Sequence, residues 1–344
     1  MTKTITIDGQ RGEGGGQIIR TSLSLSMVTG QPFLIENIRA GRKKSGLMRQ
    51  HLTCVRAAAE VCSAEVTGDT LGSDQLVFEP GAVKPGDYHF ATGSAGSSTL
   101  VAQTVLPALL LGGNTSSLKL EGGTHNMAAP PYDFIAECYL PLLRRMGVQV
   151  ESNLIRRGFY PVGGGEWTLN IMPCAVKNLK PLELMRRIGE TIVTAEAITS
   201  RIDHTVGNRE VGVVRKNLEL NDDAINTVVD NRSKGPGNVL MVRAASDNVT
   251  EIATGFGKVG VRAETVAKNA AKQMKRYVIS DAAVGPYLAD QLLLPMALGT
   301  GGRFTMLRPS KHTLTNINVI NAFLPDVKIE ISEGASGVWT VEVG

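Results

Sequence analysis

The sequence predicts an α/β (α+β) fold of three repeated βαβαββ units carrying a small inserted α/β domain. Short runs of alternating apolar residues, the period of a strand, trade places with longer runs spaced as on a helix face. They come in the order strand, helix, strand, helix, strand, strand, and that order recurs three times. The links between them are short and draw on the chain's 38 glycines. Consecutive elements must therefore pack as neighbours, with helices over one face of a sheet.

In the first unit, alternation at Thr4–Asp8 predicts a strand and the apolar spacing of Gln17–Val28 a helix. Pro32–Ile38 and Met48–Cys62 repeat that pair, and strands near Glu65–Thr67 and Gln75–Glu79 complete it. The second unit has strands Asp87–Ala91 and Ser117–Glu121, helices Ser98–Leu111 and Tyr132–Met146, then strands Gln149–Asn153 and Glu166–Ile171. For the third, a strand is expected at Arg276–Ser280, then helix Tyr287–Leu298, strand Arg303–Leu307, helix Thr315–Phe323 and strands Val327–Ile331 and Val338–Val343. Residues 1–182 and 277–344 thus form the repeated body, and 183–276 the insert. The insert reads differently: strands Ile192–Ala197, Asn226–Asp230 and Val239–Arg243 with helices Glu210–Leu220 and Glu264–Lys275.

With 344 residues, 42% hydrophobic and 20% charged, the chain can bury a large core in more than one unit. A net charge of +4 permits a polyanionic partner without requiring one. Arg144-Arg145 fits a helix end ahead of a glycine, whereas Arg39, Arg42, Lys43 and Lys44 flank Gly41 and Gly46 and fit a polyanion contact better. The four cysteines lack zinc or CxxC spacing, so reduced, buried thiols in a cytoplasmic protein are expected. The chain opens on a strand pattern instead of a secretory leader, and apolar runs such as Thr104–Leu111 are too short to span a bilayer.

The most informative stretch is Asp8-Gly-Gln-Arg-Gly-Glu-Gly-Gly-Gly-Gln-Ile-Ile-Arg20, where the first strand turns into the first helix. Such a turn lets backbone N–H groups approach an anion, and the helix dipole adds attraction. Arg11, Glu13 and Arg20 would let it hold phosphates and a divalent metal together; a plain tight turn is the competing role. GxxxxGK[ST] is absent, and Gln17 breaks GxGxxG. A GxSxG elbow is absent, and the one Asp-Gly, Asp8-Gly9, has Thr6 where a lysyl-adenylate motif needs lysine. No His/Cys/Asp cluster has ligand spacing, so any metal is a weakly held Mg²⁺ or Mn²⁺, with Glu13 its natural carboxylate. Among five histidines, His312 stands apart in the polar turn Arg308-Pro-Ser-Lys-His-Thr-Leu-Thr-Asn316. A neutral imidazole there is able to attack phosphorus, with nearby cations stabilising the developing charge. Capping the helix start is its alternative role. Equivalent turns should emerge at one end of their sheets, so a polar site gathered from all three units is expected.

The chain resembles the RNA 3′-terminal phosphate cyclase family over essentially its whole length. The segments that carry the resemblance are Asp8-Gly-x-x-Gly-Glu-Gly-Gly-Gly-Gln17, Arg39-Ala-Gly-Arg with Gly46-Leu-x-Arg-Gln-His-Leu52, and Gly93-Ser-Ala-Gly-Ser. Gly123-Thr-x-Asn126, Ala129-Pro-Pro-x-Asp133, Arg157-Gly-x-Tyr-Pro-x-Gly-Gly-Gly165, Leu288-Ala-Asp-Gln291 and His312-x-Leu-Thr-Asn316 continue it. Two departures, Thr313 after His312 and Lys43-Lys44-Ser45 before Gly46, remove no reactive group. The resemblance implies units like the C-terminal domain of translation initiation factor 3, as in enolpyruvyl transferases, plus an inserted domain.

It also implies ATP-dependent cyclisation of an RNA 3′-phosphate, through a histidine adenylate and an RNA(3′)pp(5′)A end. His312 would be the nucleophile and Glu13 the ligand of Mg²⁺ or Mn²⁺. Arg20, Arg39, Arg42 and Gln50 would contact phosphates of ATP or RNA. Gln103 and the segment Tyr287, Leu288, Ala289, Asp290, Gln291 would bind the nucleotide, with Pro130 and Tyr287 packing on adenine. Against this stands a non-catalytic RNA-processing factor of the same fold, which would carry no adenylate. An enolpyruvyl-type transferase would need no ATP. Whether the protein is a monomer or a homodimer is left open.

Overall fold

The computed structural model describes residues 4–334 and 337–344. The first sheet joins β1 (Ile5–Asp8), β2 (Phe33–Glu36), β3 (Glu65–Thr67) and β4 (Leu76–Glu79) in the order β1-β2-β4-β3. β1 and β2 are parallel because α1 (Gly16–Thr29) crosses between them, and α2 (Arg49–Cys62) returns the chain to an antiparallel pair. β5 (Asp87–Ala91), β6 (Ser116–Gly122), β7 (Val150–Arg156) and β8 (Gly165–Ile171) repeat the order as β5-β6-β8-β7. Here the first crossover is α3 (Ser98–Leu110). The single helix expected at 132–146 is divided into α4 (Tyr132–Phe134), a π-helical Ile135–Tyr139 and α5 (Leu140–Arg145).

The third unit opens earlier than the sequence suggests. Arg276–Ser280, expected as its first strand, is the end of a helix and the turn after it. The strand is β9 (Leu182–Leu184), parallel to β14 (Gly302–Met306) with Gly302 opposite Leu182 and Phe304 opposite Leu184. The alternating stretch stays helical because Arg187 caps it. Its guanidinium donates to the carbonyls of Tyr277 and Val278 at 2.9 and 3.1 Å and lies 4.6 Å from the Tyr277 ring centroid. With β15 (Ile329–Glu333) and β16 (Trp339–Val343), the third sheet has the order β9-β14-β16-β15, again first-second-fourth-third. The extra segment therefore interrupts this unit after its first strand.

That segment forms its own sheet from β10 (Ile192–Ser200), β11 (Ile225–Val229), β12 (Gly237–Ala245) and β13 (Thr250–Phe256), in the order β11-β10-β12-β13. Strand β13 was not expected. Leu240 and Val242 pack with residues of α6 (Thr205–Leu218) and α7 (Ala263–Val278), such as Val214 and Ala270. Val239, Met241 and Ile252 join the main core instead. The insert's sheet is thus buried on both faces.

In the main body, helices pack on helices. α1 touches both α3 and α9 (Lys311–Phe323), and α9 touches α8 (Pro286–Leu298). Burying Ile18, Ile19, Leu23, Leu288, Leu292 and Ile320 between them fixes where each helix begins. All four cysteines are free and buried. Among the described residues, no helix is long and apolar enough to cross a membrane.

Candidate active site

The N-terminal turns of α1, α2, α8 and α9 open onto one cleft of about 720 Å³. Gln17, Gln50, His51, Tyr287, Asp290 and His312 reach it from those turns. Helix N-termini leave N–H groups unpaired and carry a partial positive charge, so a site built from four of them suits an anion. Glu13, Arg20, Arg39, Arg42, Gln103 and Gln291 also line it, as do Pro130 and its loop. Thr254, Phe256 and Gln273 of the insert close one side. A smaller crevice between α6 and α7, lined by Lys216, Arg262 and Lys268, shares no residue with it.

His312 is the second residue of α9, whose start is capped by Ser310 accepting from Thr313 N at 3.1 Å. Capping thus falls to Ser310, leaving the imidazole for another task. Its Nδ1 lies 2.8 Å from Gln17 Oε1. The amide is oriented by Asp290, which accepts from Gln17 Nε2 at 2.6 and 2.8 Å. Because Oε1 can only accept, the proton of a neutral His312 sits on Nδ1, and Nε2 keeps its lone pair. Burial, then Arg20 and Arg42, pushes the His312 pKa below its ordinary value, so the ring is neutral near pH 7. Burial raises Asp290 to about 6 against the pull of Gln17 and Arg20.

Glu13 lies 3.8 Å from His312 Nε2 through Oε1, which also pairs with Arg42. Its other oxygen, Oε2, is buried with no hydrogen-bond partner. Its backbone N–H donates to the Thr315 hydroxyl at 2.8 Å, tying the glycine loop to α9. Gly12 sits in the left-handed region (φ +67°), and a Cβ there would strike that hydroxyl. A hard divalent cation fits this donor set: one orphaned carboxylate oxygen, with substrate phosphates and water completing the shell. Among the described residues no trio of His, Cys, Asp or Glu makes a closed cage.

His51 was not singled out from sequence. Its Nδ1 accepts from Met48 N at 3.1 Å, so Nε2 carries the proton. Burial, then Arg20 and Arg39, holds its pKa at about 3, making it a fixed neutral donor beside Arg20. A Cβ on Gly16 would meet both side chains, so glycine there lets them approach the helix start.

Arg42 donates to the carbonyls of Glu13 and Gly14 at 2.8 and 3.3 Å, and Arg39 to Gly46 at 2.9 Å. Gln50 accepts from Ser97 N at 3.2 Å. Gln103 Nε2 donates to Gln291 Oε1 at 2.6 Å, bridging α3 and α8. Leu288 and Ala289 have no exposed surface and belong to the core. They hold the helix that presents Tyr287, Asp290 and Gln291, and do not face the cleft. Sequence reasoning missed Gln17, although a polar residue opening the run Ile18-Ile19 was a signal. It missed His51 and the insert's contribution too.

Fold and cleft together define a class: an α/β protein of repeated sheets whose helix starts surround a histidine in a cation-lined cleft. The family model for RNA 3′-terminal phosphate cyclase matches residues 11–331. A relative of that name from Koribacter versatilis is 52% identical over 330 residues, 96% of this chain and 92% of its own length. Another from Salmonella enteritidis is 50% identical over 326 residues, 94% and 95% of the two chains. The chain belongs to the RNA 3′-terminal phosphate cyclase family.

Proposed function

We propose that this protein uses ATP to convert an RNA 3′-terminal phosphate into a 2′,3′-cyclic phosphate, with His312 as the nucleophile. The observation that carries this is the chain Asp290–Gln17–His312, which leaves the Nε2 lone pair of a neutral imidazole free beside Arg20 and Arg42.

In the first step Nε2 attacks the α-phosphorus of ATP. An N–P bond forms, the α,β-bridging P–O bond breaks, and pyrophosphate leaves. The imidazolium that develops keeps its Nδ1 proton on Gln17, with Asp290 behind it, a relay like the orienting carboxylate of a catalytic triad. Arg20, Arg42 and the Nε2–H of His51 are the donors available to the phosphates. Pro130 and Tyr287 offer flat surfaces to adenine. A Mg²⁺ or Mn²⁺ held by Glu13 would supply charge neutralisation on the polyphosphate.

In the second step an oxygen of the RNA 3′-phosphate attacks the same phosphorus, the N–P bond breaks, and His312 is restored. In the third the vicinal 2′-hydroxyl attacks the RNA phosphorus, AMP leaves, and the hydroxyl proton is lost. The 2′-oxygen is held beside its target, so effective molarity drives ring closure.

Three acceptors test the proposal with ATP and Mg²⁺ or Mn²⁺ present. RNA ending in a 3′-phosphate should become phosphatase-resistant with one AMP and one pyrophosphate released per end. The same strand ending in a 2′-deoxy-3′-phosphate should stop at the adenylated end, and a 3′-hydroxyl end should be inert. Cyclisation without ATP turnover, or cyclisation of neither phosphate end by folded protein, would contradict the proposal.

A further inference from the structure

Two walls of the cleft stand on the insert. One is the loop Met127–Pro131, which carries Pro130. His125 and Asp133 clasp its ends, with Nε2 and Oδ2 2.6 Å apart. Burial would raise the Asp133 carboxyl, but His125, then Arg243, holds it at about 2. Arg243 belongs to β12 of the insert. It lies 3.5 Å from Asp133 and makes two hydrogen bonds to Glu137, at 2.8 and 3.1 Å, in the π-helical turn that follows.

The other wall is the first two turns of α8, with Tyr287 and Asp290. At its N-cap the N–H of Gly285 donates at 2.7 Å to Glu251, a buried residue of β13. β12 and β13 are adjacent, paired antiparallel from Val239–Phe256 to Ala245–Thr250. One rigid strand pair therefore holds both walls. Apolar contacts would dock the insert with less desolvation. A bidentate guanidinium and a buried side-chain acceptor for a helix N-cap N–H fix direction as well as contact.

We propose that Arg243 and Glu251 are positioning residues for the nucleotide pocket: through them the insert sets the separation of the Pro130 loop and the Tyr287 turn. The proposal rests on the ATP-binding function proposed above.

Affinity and chemistry are read separately on the full chain. Affinity is the Kd for α,β-methylene-ATP, which cannot release pyrophosphate; chemistry is the rate of label transfer from saturating α-labelled ATP. Arg243→Ala and Glu251→Ala should each raise Kd about tenfold, while the saturated rate stays within about twofold. Glu251→Gln keeps the acceptor for Gly285 and should bind like the wild type. Arg209→Ala opens an exposed pair with Glu264 elsewhere on the insert and should also leave Kd unchanged. If the alanine variants do not fold, Glu137→Gln loosens the Arg243 clamp more gently and should raise Kd severalfold. Wild-type Kd in folded alanine variants, or in Glu137→Gln where they fail to fold, overturns the proposal. Wild-type protein that binds no nucleotide removes the functional proposal itself, and this one with it.

Discussion

Asp290 acts on His312, the proposed nucleophile, without touching it. Ionised, it accepts from the Gln17 amide and so turns Oε1 toward His312. Its folded pKa is raised, to about 6, so acid restores its proton as pH falls through that value. The protonated acid offers one acceptor fewer and a donor that competes for Gln17, and the imidazole then loses its fixed tautomer. Formation of the histidine adduct should therefore fall as pH drops through about 6. Asp290→Asn should slow it about 100-fold at pH 7.5 with little change in Kd for nucleotide. An unchanged rate in Asp290→Asn would remove the relay from the mechanism. None of this was visible in the residues alone. Asp290 read as a nucleotide contact, because a side chain's partner 273 residues away is set by packing.

At the scale of elements, Glu251 makes the joint between β13 and α8 sensitive to alkali. Burial raises its carboxyl to about 8, opposed by the Gly285 N–H, with Tyr277 and Cys138 as titratable neighbours. A raised carboxylate pKa means the neutral form is favoured in the fold. Its contribution is fully present below the unfolded value near 4.5 and is lost as pH rises through about 8. Glu251→Gln stays neutral, so its Tm should match wild type at pH 5 and exceed it by a few degrees at pH 9. Equal Tm differences at both pH values would contradict the assignment. The elements themselves were mostly legible, because amphipathic period survives in helices such as Arg49–Cys62. The misplaced strand of the third unit was not. β9 has three residues and its partner lies 120 positions further on, whereas Arg276–Ser280 alternates like a strand but follows on from a helix capped by Arg187.

The whole molecule gathers its cleft from chain segments far apart. His312 and Gln17 are separated by 295 positions, yet hydrogen-bond, because α1 and α9 pack side by side. The cleft takes side chains from all three repeated units, such as Arg42, Gln103 and His312, and a polar site shared among units was foreseeable from glycine and charge spacing. The insert's place on that site was not, since nothing in its sequence says that both faces of its sheet are covered. The central claim is that His312 Nε2 becomes bonded to phosphorus, and one measurement bears on it most directly. Purified protein and a His312→Ala variant are incubated with α-labelled ATP and Mg²⁺ or Mn²⁺, without RNA, and the adduct is tested for stability. The account predicts label on the wild type that acid removes and alkali spares, and none on the variant. Label that persists in folded His312→Ala, or folded wild type that takes up none, would contradict it.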